Sequence, residues 1–158
     1  MKKNLLLLFI ACAIFACKKS VTAPGNTNPP VTNSDFAKGA DISWLTQMEG
    51  AGKKFYSSAG VEKDAMEILK DLGMNSARLR VWVDPADEWC NTADLVAKAL
   101  RAKALGMKIM IDFHYSDSWA DPGKQTKPLA WASQTFTELK QSVTTHTTAV
   151  LNTLKING

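Results

Sequence analysis

One stretch of the sequence, residues 108–123, carries most of the side chains that could do chemistry. An apolar run leads into Asp112, Phe113 and His114, and the next residues add aromatic rings, carboxylates and a Pro-Gly pair. This pattern predicts a short buried strand that ends in a loop. Because side chains alternate along an extended chain, Asp112 and His114 would share one face and meet at the strand's C-terminal end.

Two earlier segments show the same arrangement of apolar and polar residues. Residues 38–44 would place Asp41 on one face and the apolar side chains, with Trp44, on the other. Residues 75–83 would place Arg78, Arg80 and Trp82 opposite an apolar side. All three segments therefore present polar side chains on one face, gathered toward their C-terminal ends.

Together these segments predict a polar and aromatic rim. Carboxylate, imidazole and guanidinium groups hydrogen-bond sugar hydroxyls, and indole or phenol rings stack on the apolar face of a pyranose. The predicted substrate-binding residues are Asp41, Arg78, Arg80, Trp82, Asp112, His114, Tyr115, Asp117 and Trp119. An alternative is that Arg78 and Arg80 form structural salt bridges to Asp41 or Asp112, which would not exclude a place in the site. Trp119 and Trp131 could likewise anchor a loop.

Other chemistries fit these residues less well. His114, Ser116 and Asp117 contain the residue types of a hydrolytic triad, but triad members come from separate elements. Asp112 and His114 could supply two metal ligands, yet the other histidine, His146, lies within a predicted helix, so no metal site is predicted. Cys90 has no histidine near it in sequence and is interpreted as a packed thiol.

The elements between the strands predict the fold class. Helices are expected over residues 61–72, 92–105 and 134–154, and residues 45–60 are expected to form a polar loop. The strands recur at the spacing of βα units in a parallel sheet. A glycine-rich phosphate loop is absent, so we predict an α/β fold of the (β/α)8 TIM-barrel type. Such a barrel needs eight units and about 250 residues, and this chain holds about the first three.

The N-terminal residues predict export. Residues 1–17 have the charged, apolar and small-residue order of a secretory signal, and the segment ending at Cys17 resembles a bacterial lipobox. A lipidated Cys17 would anchor the chain to the bacterial cell envelope, periplasmic or at the cell surface; a plain signal peptide is the alternative. Residues 18–35 predict a flexible tether, and residues 36–158 the folded domain. Much of the net charge of +4 lies near the N-terminus, so no nucleic-acid partner is indicated.

Three motifs resemble a known family. Residues 38–44 (KGADISW), 78–85 (RLRVWVDP) and 111–123 (IDFHYSDSWADPG) are similar to the endo-β-1,4-galactanases of glycoside hydrolase family 53. The resemblance covers the folded part of the chain. It implies a (β/α)8 barrel that cleaves β-1,4-galactan, the side chain of type I arabinogalactan, by a retaining double displacement.

The resemblance also implies which functional residues this chain holds. Two catalytic glutamates are expected at strands four and seven, beyond Gly158, so the chain alone is expected to be inactive. Glu49, Glu88 and Glu138 do not match those positions. Arg80 and His114 match residues that support catalysis beside the sugar. No cofactor is expected in this part, a calcium site in the missing C-terminal part stays open, and the alternative function is a non-catalytic galactan-binding lipoprotein.

Overall fold

The computed structural model describes residues 36–158. The predicted signal peptide, the tether and the lipidation site Cys17 lie outside the described residues and stay predictions. Within them, three parallel strands form one sheet in the order β1-β2-β3. The strands are β1 (Gly39–Asp41), β2 (Ser76–Val81) and β3 (Lys108–Phe113). This confirms the predicted parallel order; β3 begins at the predicted residue 108, and the other strand ends fall one to three residues inside the predicted limits.

Helices follow each strand and cover one face of the sheet. They are α1 (Leu45–Gly50), α2 (Ala65–Asp71), α3 (Thr92–Ala104) and α4 (Phe136–Ile156), with a 3-10 helix at Leu129–Trp131. The predicted loop at residues 45–60 thus begins with a helix, and the 3-10 turn was not predicted either. None of the helices within residues 36–158 has the length and apolar character needed to cross a membrane.

The core lies between β2 and the helices. Ala77, Leu79 and Val81 are buried on the helix side of β2, and Leu95 and Ala102 of α3 pack against them. Alternation along β2 explains this burial, because every second side chain points to the helices. Arg78 and Arg80 consequently lie on the opposite face, as the sequence predicts.

Side-chain caps set where the helices begin. Asp64 accepts hydrogen bonds from the backbone N–H groups of Met66 and Glu67, so α2 begins at Ala65 instead of residue 61. Val61 therefore precedes the helix and is exposed, and Leu72, just after its end, is exposed as well. Both positions were predicted to lie within this helix, and both lie outside it. Thr135 and Glu138 form a capping box at the start of α4.

The end of β1 turns the chain toward the opposite face of the sheet. The Oδ1 of Asp41 accepts hydrogen bonds from the backbone N–H of Ser43 at 2.9 Å and from its Oγ at 2.5 Å. The strand stops there, and Trp44 becomes the residue that precedes α1. Trp44 therefore leaves the apolar face predicted for it. Gly39 permits the close pairing of β1 with β2, since a Cβ atom there would lie 2.4 Å from the Ser76 carbonyl oxygen.

Candidate functional site

The centre of the site is the guanidinium of Arg80, which projects from the C-terminal part of β2. Its central carbon lies 4.6 Å from the ring centroid of Trp44, 4.8 Å from that of Trp82 and 5.0 Å from that of Trp119. We call these three rings the tryptophan box. Arg80 is only 2% exposed, so its charge is held largely by cation–π interactions. Its Nε and Nη2 have no hydrogen-bond partner among the described residues.

Two rings of the tryptophan box face solvent. Trp44 and Trp119 are stacked, with ring centroids 6.4 Å apart and planes inclined by 26°. They are 38% and 46% exposed, whereas Trp82 is buried and meets Trp44 edge-on at 5.8 Å. The Nε1 of Trp119 donates to Asp121 at 3.0 Å, which holds the exposed ring in place. The box therefore offers an aromatic surface above a buried cation.

A row of ionisable side chains runs across the sheet beside the box. The Nε2 of His114 lies 3.0 Å from the Oδ2 of Asp112, and the same oxygen accepts from Arg78 Nη2 at 2.7 Å. Arg78 Nη1 lies 3.6 Å from Asp41 Oδ2. The predicted structural salt bridge is thus confirmed for Arg78. It was wrong for Arg80, whose side chain is surrounded by indole rings instead of carboxylates.

Two residues of this row, Asp41 and His114, have environments that bear on what the row could bind. Burial acts to raise the pKa of Asp41, but hydrogen bonds from Ser43 and the charges of Arg80 and Arg78 outweigh it and hold the pKa below its usual value. Asp41 is therefore a carboxylate at neutral pH. The Nδ1 of His114 is buried without a partner among the described residues, and its ring lies 6.1 Å from Trp119. His114 consequently faces the box with one unused nitrogen.

The structure brings together seven of the nine predicted substrate-binding residues. They are Asp41, Arg78, Arg80, Trp82, Asp112, His114 and Trp119. Arg80 and His114 lie against the same ring, so their predicted convergence is confirmed. Whether any of the seven binds substrate stays a prediction.

Tyr115 and Asp117 do not join this group. Tyr115 stacks on Phe113 at 6.0 Å, and its hydroxyl lies 2.9 Å from Thr147 Oγ1 of α4. It follows His114 by one residue and so points to the opposite, helix-covered side. The carboxylate of Asp117 accepts from the backbone N–H of Asp84 at 3.0 Å and of Leu129 at 2.7 Å. One packs on α4 and the other joins two loops, and their predicted roles in substrate binding stay predictions.

Three residues of the site were not predicted from the sequence. Trp44 completes the box, and Ser43 supports it by accepting a hydrogen bond from the Arg80 backbone N–H at 2.7 Å. Lys98 of α3 is fully buried behind them and pairs with Asp94 at 2.6 Å. The i,i+4 spacing of Asp94 and Lys98 on a largely apolar helix is the one sequence signal that could have indicated this pair.

Other groups that could do chemistry are engaged in the fold. Glu49 forms a bidentate pair with Arg101, both oxygens at 2.8 Å, and Glu138 caps α4. Cys90 is a buried free thiol whose pKa is raised by burial, as the interpretation of a packed thiol predicts. Across residues 36–158, no three His, Cys, Asp or Glu side chains are grouped as a metal site would require.

Fold and site together define a class of protein. Parallel βα units whose polar side chains gather at the carboxyl ends of the strands are typical of (β/α)8-barrel enzymes, which build their active sites at that face. The domain model described as Glycosyl hydrolase family 53 matches residues 37–158. The chain therefore belongs to glycosyl hydrolase family 53 and holds part of its barrel.

Relatives from several organisms support this assignment. The chain is 42% identical to a Bacillus subtilis protein named endo-beta-1,4-galactanase, covering 73% of this chain and 29% of the relative. It is 42% identical to a probable arabinogalactan endo-beta-1,4-galactanase A of Aspergillus fumigatus, covering 77% and 34%. The solved Ignisphaera aggregans GH53 catalytic domain matches with a TM-score of 0.75 and 41% identity, covering 81% and 38%. The chain thus spans about a third of the length of these relatives.

Proposed function

We propose that this chain forms the substrate-binding floor of an enzyme that cleaves β-1,4-galactan, the side chain of type I arabinogalactan. The observation that carries the proposal is the convergence of Arg80, His114 and the tryptophan box at the carboxyl ends of β2 and β3. The names of the family's members give the substrate class. The geometry described above supports the proposed means of binding it.

The exposed rings of Trp44 and Trp119 would stack on the apolar face of galactose residues. Beside them, His114 Nδ1 and the free nitrogens of Arg80 would hydrogen-bond oxygens that enter the cleft. A retaining double displacement needs two carboxyl groups about 5–5.5 Å apart, one as nucleophile and one as acid/base. A guanidinium held beside the nucleophile would keep it ionised, and in this proposal Arg80 has that supporting role.

A chimera tests the proposal directly. Residues 37–158 would replace the matched segment of the Bacillus subtilis endo-beta-1,4-galactanase, which supplies the rest of the barrel. We expect the chimera to release reducing ends from β-1,4-galactan and not from β-1,4-glucan. Phe136 has an exposed side chain on α4. Phe136→Ala, made in the chimera, is a control substitution and should leave the rate of galactan cleavage unchanged.

Two results would contradict the proposal. One is a chimera that folds, by its circular dichroism, yet releases no reducing ends from galactan. The other is release of reducing ends by the 158-residue chain alone, because this activity would place the catalytic carboxyl groups within residues that we assign to binding.

A second candidate is a galactan-binding lipoprotein without catalysis. One observation favours it. Asp41 and Asp112, the two carboxylates beside the tryptophan box, both pair with Arg78, as expected of groups that shape a binding surface and do not act as catalysts. Affinity electrophoresis of the chain through a gel containing galactan distinguishes the two. Marked retardation by the chain alone supports the binding protein, whereas unchanged mobility with an active chimera supports the enzyme.

We also propose that the protein is exported and anchored to the cell envelope through Cys17, with residues 18–35 as a tether. The support is the order of charged, apolar and small residues before Cys17. Labelled palmitate should be incorporated by the wild-type chain and by Cys12→Ser in a bacterial host. Incorporation that survives in Cys17→Ser would refute the anchor.

A further inference from the structure

Behind the tryptophan box lies a buried ion pair whose side-chain hydrogen bonds, within residues 36–158, go to none of the predicted substrate-binding residues. Lys98 and Asp94 lie one turn apart on α3, with Nζ and Oδ2 separated by 2.6 Å. Lys98 is completely buried and Asp94 nearly so. A buried ion pair contributes little net stability compared with apolar side chains of the same size, so its presence needs another explanation.

One partner of the pair holds the segment that carries Trp44. Lys98 Nζ donates to the main-chain oxygen of Ser43 at 2.8 Å, and Trp44 is the next residue. The same serine accepts from the Arg80 backbone N–H through its Oγ at 2.7 Å. Lys98 thus fixes, through Ser43, both the ring that covers Arg80 and the backbone from which Arg80 projects.

The other partner holds the segment that carries Trp82. Asp94 Oδ2 accepts from the backbone N–H of Cys90 at 2.7 Å, and the Cys90 carbonyl accepts from the Trp82 backbone N–H at 2.8 Å. The Cys90 thiol also donates to the Ser43 carbonyl at 3.4 Å. Cys90 has a positive φ of 60°, a conformation that such tight bonding sustains.

We propose that Lys98 and Asp94 are positioning residues that set the relative orientation of Trp44 and Trp82 around Arg80. Neither touches the cleft; each acts on one wall of the tryptophan box through a hydrogen-bonded backbone segment. That Lys98 and Asp94 thereby assist sugar binding rests on the proposed function. Their control of the box does not, because it requires only the contacts within the chain.

A second ion pair on the same helix provides a matched comparison. Arg101, also on α3, pairs with Glu49 of α1 at 2.8 Å and with Asp64 at 2.5 Å. It also joins α3 to the segment after β1, yet none of its hydrogen bonds goes to Ser43 or Cys90. Loss of this pair should loosen helix packing without turning the rings of the box.

The test uses the purified full chain and no ligand. Near-ultraviolet circular dichroism reports the mutual orientation of close indole rings, and Trp44 and Trp82 meet edge-on at 5.8 Å. The variant Asp94→Asn/Lys98→Met removes both charges, so neither is left buried and unpaired. The control is Glu49→Gln/Arg101→Met. Far-ultraviolet spectra of each variant report helix content.

We expect the indole signal of Asp94→Asn/Lys98→Met to fall by about half or more while its helix content is kept. The control should retain the wild-type signal. An unchanged signal in the first variant, an equal loss in both, or a wild-type chain without an indole signal would overturn the proposal.

If the double variant failed to fold, the single variant Asp94→Asn would test the proposal in its place. The amide oxygen of this variant can still accept from both Lys98 and Cys90, but more weakly than a carboxylate, and it no longer balances the Lys98 charge, so a weakened indole signal with intact helices is expected. An unaltered indole signal in this folded variant would equally overturn the proposal. Because no galactan is used, none of these results depends on whether the chain binds a sugar.

Discussion

The guanidinium of Arg80 on β2 lies under the ring of Trp44, which follows β1, at a distance of 4.6 Å. The contact exists because Asp41 and Ser43 end β1 early and turn Trp44 toward the face of the sheet that carries Arg80. The indole rings thereby fix the orientation of the Arg80 guanidinium, and the guanidinium in turn holds the Trp44 ring in place. The proposed binding surface and the fold therefore depend on the same few contacts.

Arg80→Lys should destabilise the chain. A lysine ammonium cannot spread over three indole rings as a planar guanidinium does, and its charge would be left buried. We expect the free energy of unfolding to fall by about 1–3 kcal/mol, measured by urea denaturation. In Arg78→Lys, a half-exposed salt bridge is weakened, and the loss should stay below about 1 kcal/mol. Equal losses in the two variants would contradict the role of the box.

The central strand should dominate stability. Leu79 is fully buried between the sheet and α3, and Leu79→Ala should lower the free energy of unfolding by about 2–5 kcal/mol. Leu72 is 69% exposed, and Leu72→Ala should change the free energy of unfolding by less than about 0.5 kcal/mol. Thermal unfolding of both variants checks this contrast. A marginal effect at Leu79 would place the core elsewhere.

Stability should also depend on pH through His146 of α4. Its ring packs among Phe113, Tyr115 and Trp131, and burial lowers its pKa. In the unfolded chain the imidazole takes up a proton near its ordinary pKa of about 6.5, whereas in the folded chain it resists protonation. Its contribution is therefore present above that pH and is lost as the pH falls toward the lowered folded pKa.

Urea denaturation between about pH 7.5 and 5.5 measures this dependence, and His146→Phe should flatten it. Below about pH 4 a second loss is expected, because the pKa of Asp41 and of Asp64 is depressed in the folded chain. Their stabilisation is present above the unfolded pKa and is lost as the pH falls through the folded value. A wild-type chain whose stability is flat from pH 7.5 to 5.5 would contradict the account of His146.

Cys90 should be unreactive in the folded chain. Its thiol is buried, and burial raises its pKa, so little thiolate forms at neutral pH. Iodoacetamide should therefore leave the peptide containing Cys90 unmodified in buffer and alkylate it in urea, as followed by mass spectrometry. Rapid alkylation in buffer would show that the loop between Trp82 and α3 opens readily.

The order of the elements could be predicted from the sequence because each strand has a clear apolar side. Alternation along β2 and β3 indicates which side chains face the helices, and the polar residues then share the other face. The residues at which helices and strands begin and end were harder to predict. Asp64 and Asp41 decide where α2 begins and β1 ends, and both act through side-chain hydrogen bonds that periodicity does not reveal.

The candidate site could be predicted only in part for the same reason. Arg80 and His114 follow from strand alternation, and their convergence was confirmed. Trp44, in contrast, reaches the box only after a turn. Tyr115, two residues after the end of β3, directs its hydroxyl to Thr147 of α4, a contact that strand alternation does not reveal. Lys98 was missed because lysine is rarely buried unless it is paired.

The central claim is that the tryptophan box binds galactan, and the chimera described above tests it most directly. Trp119 contributes an exposed ring to the box, so in Trp119→Ala we expect kcat/KM for β-1,4-galactan to fall by about tenfold. Leu129 is exposed in the same loop, and the chimera carrying Leu129→Ala should keep the kcat/KM of the unaltered chimera. If Trp119→Ala cleaved galactan as well as the unaltered chimera, the sugar would have to bind elsewhere.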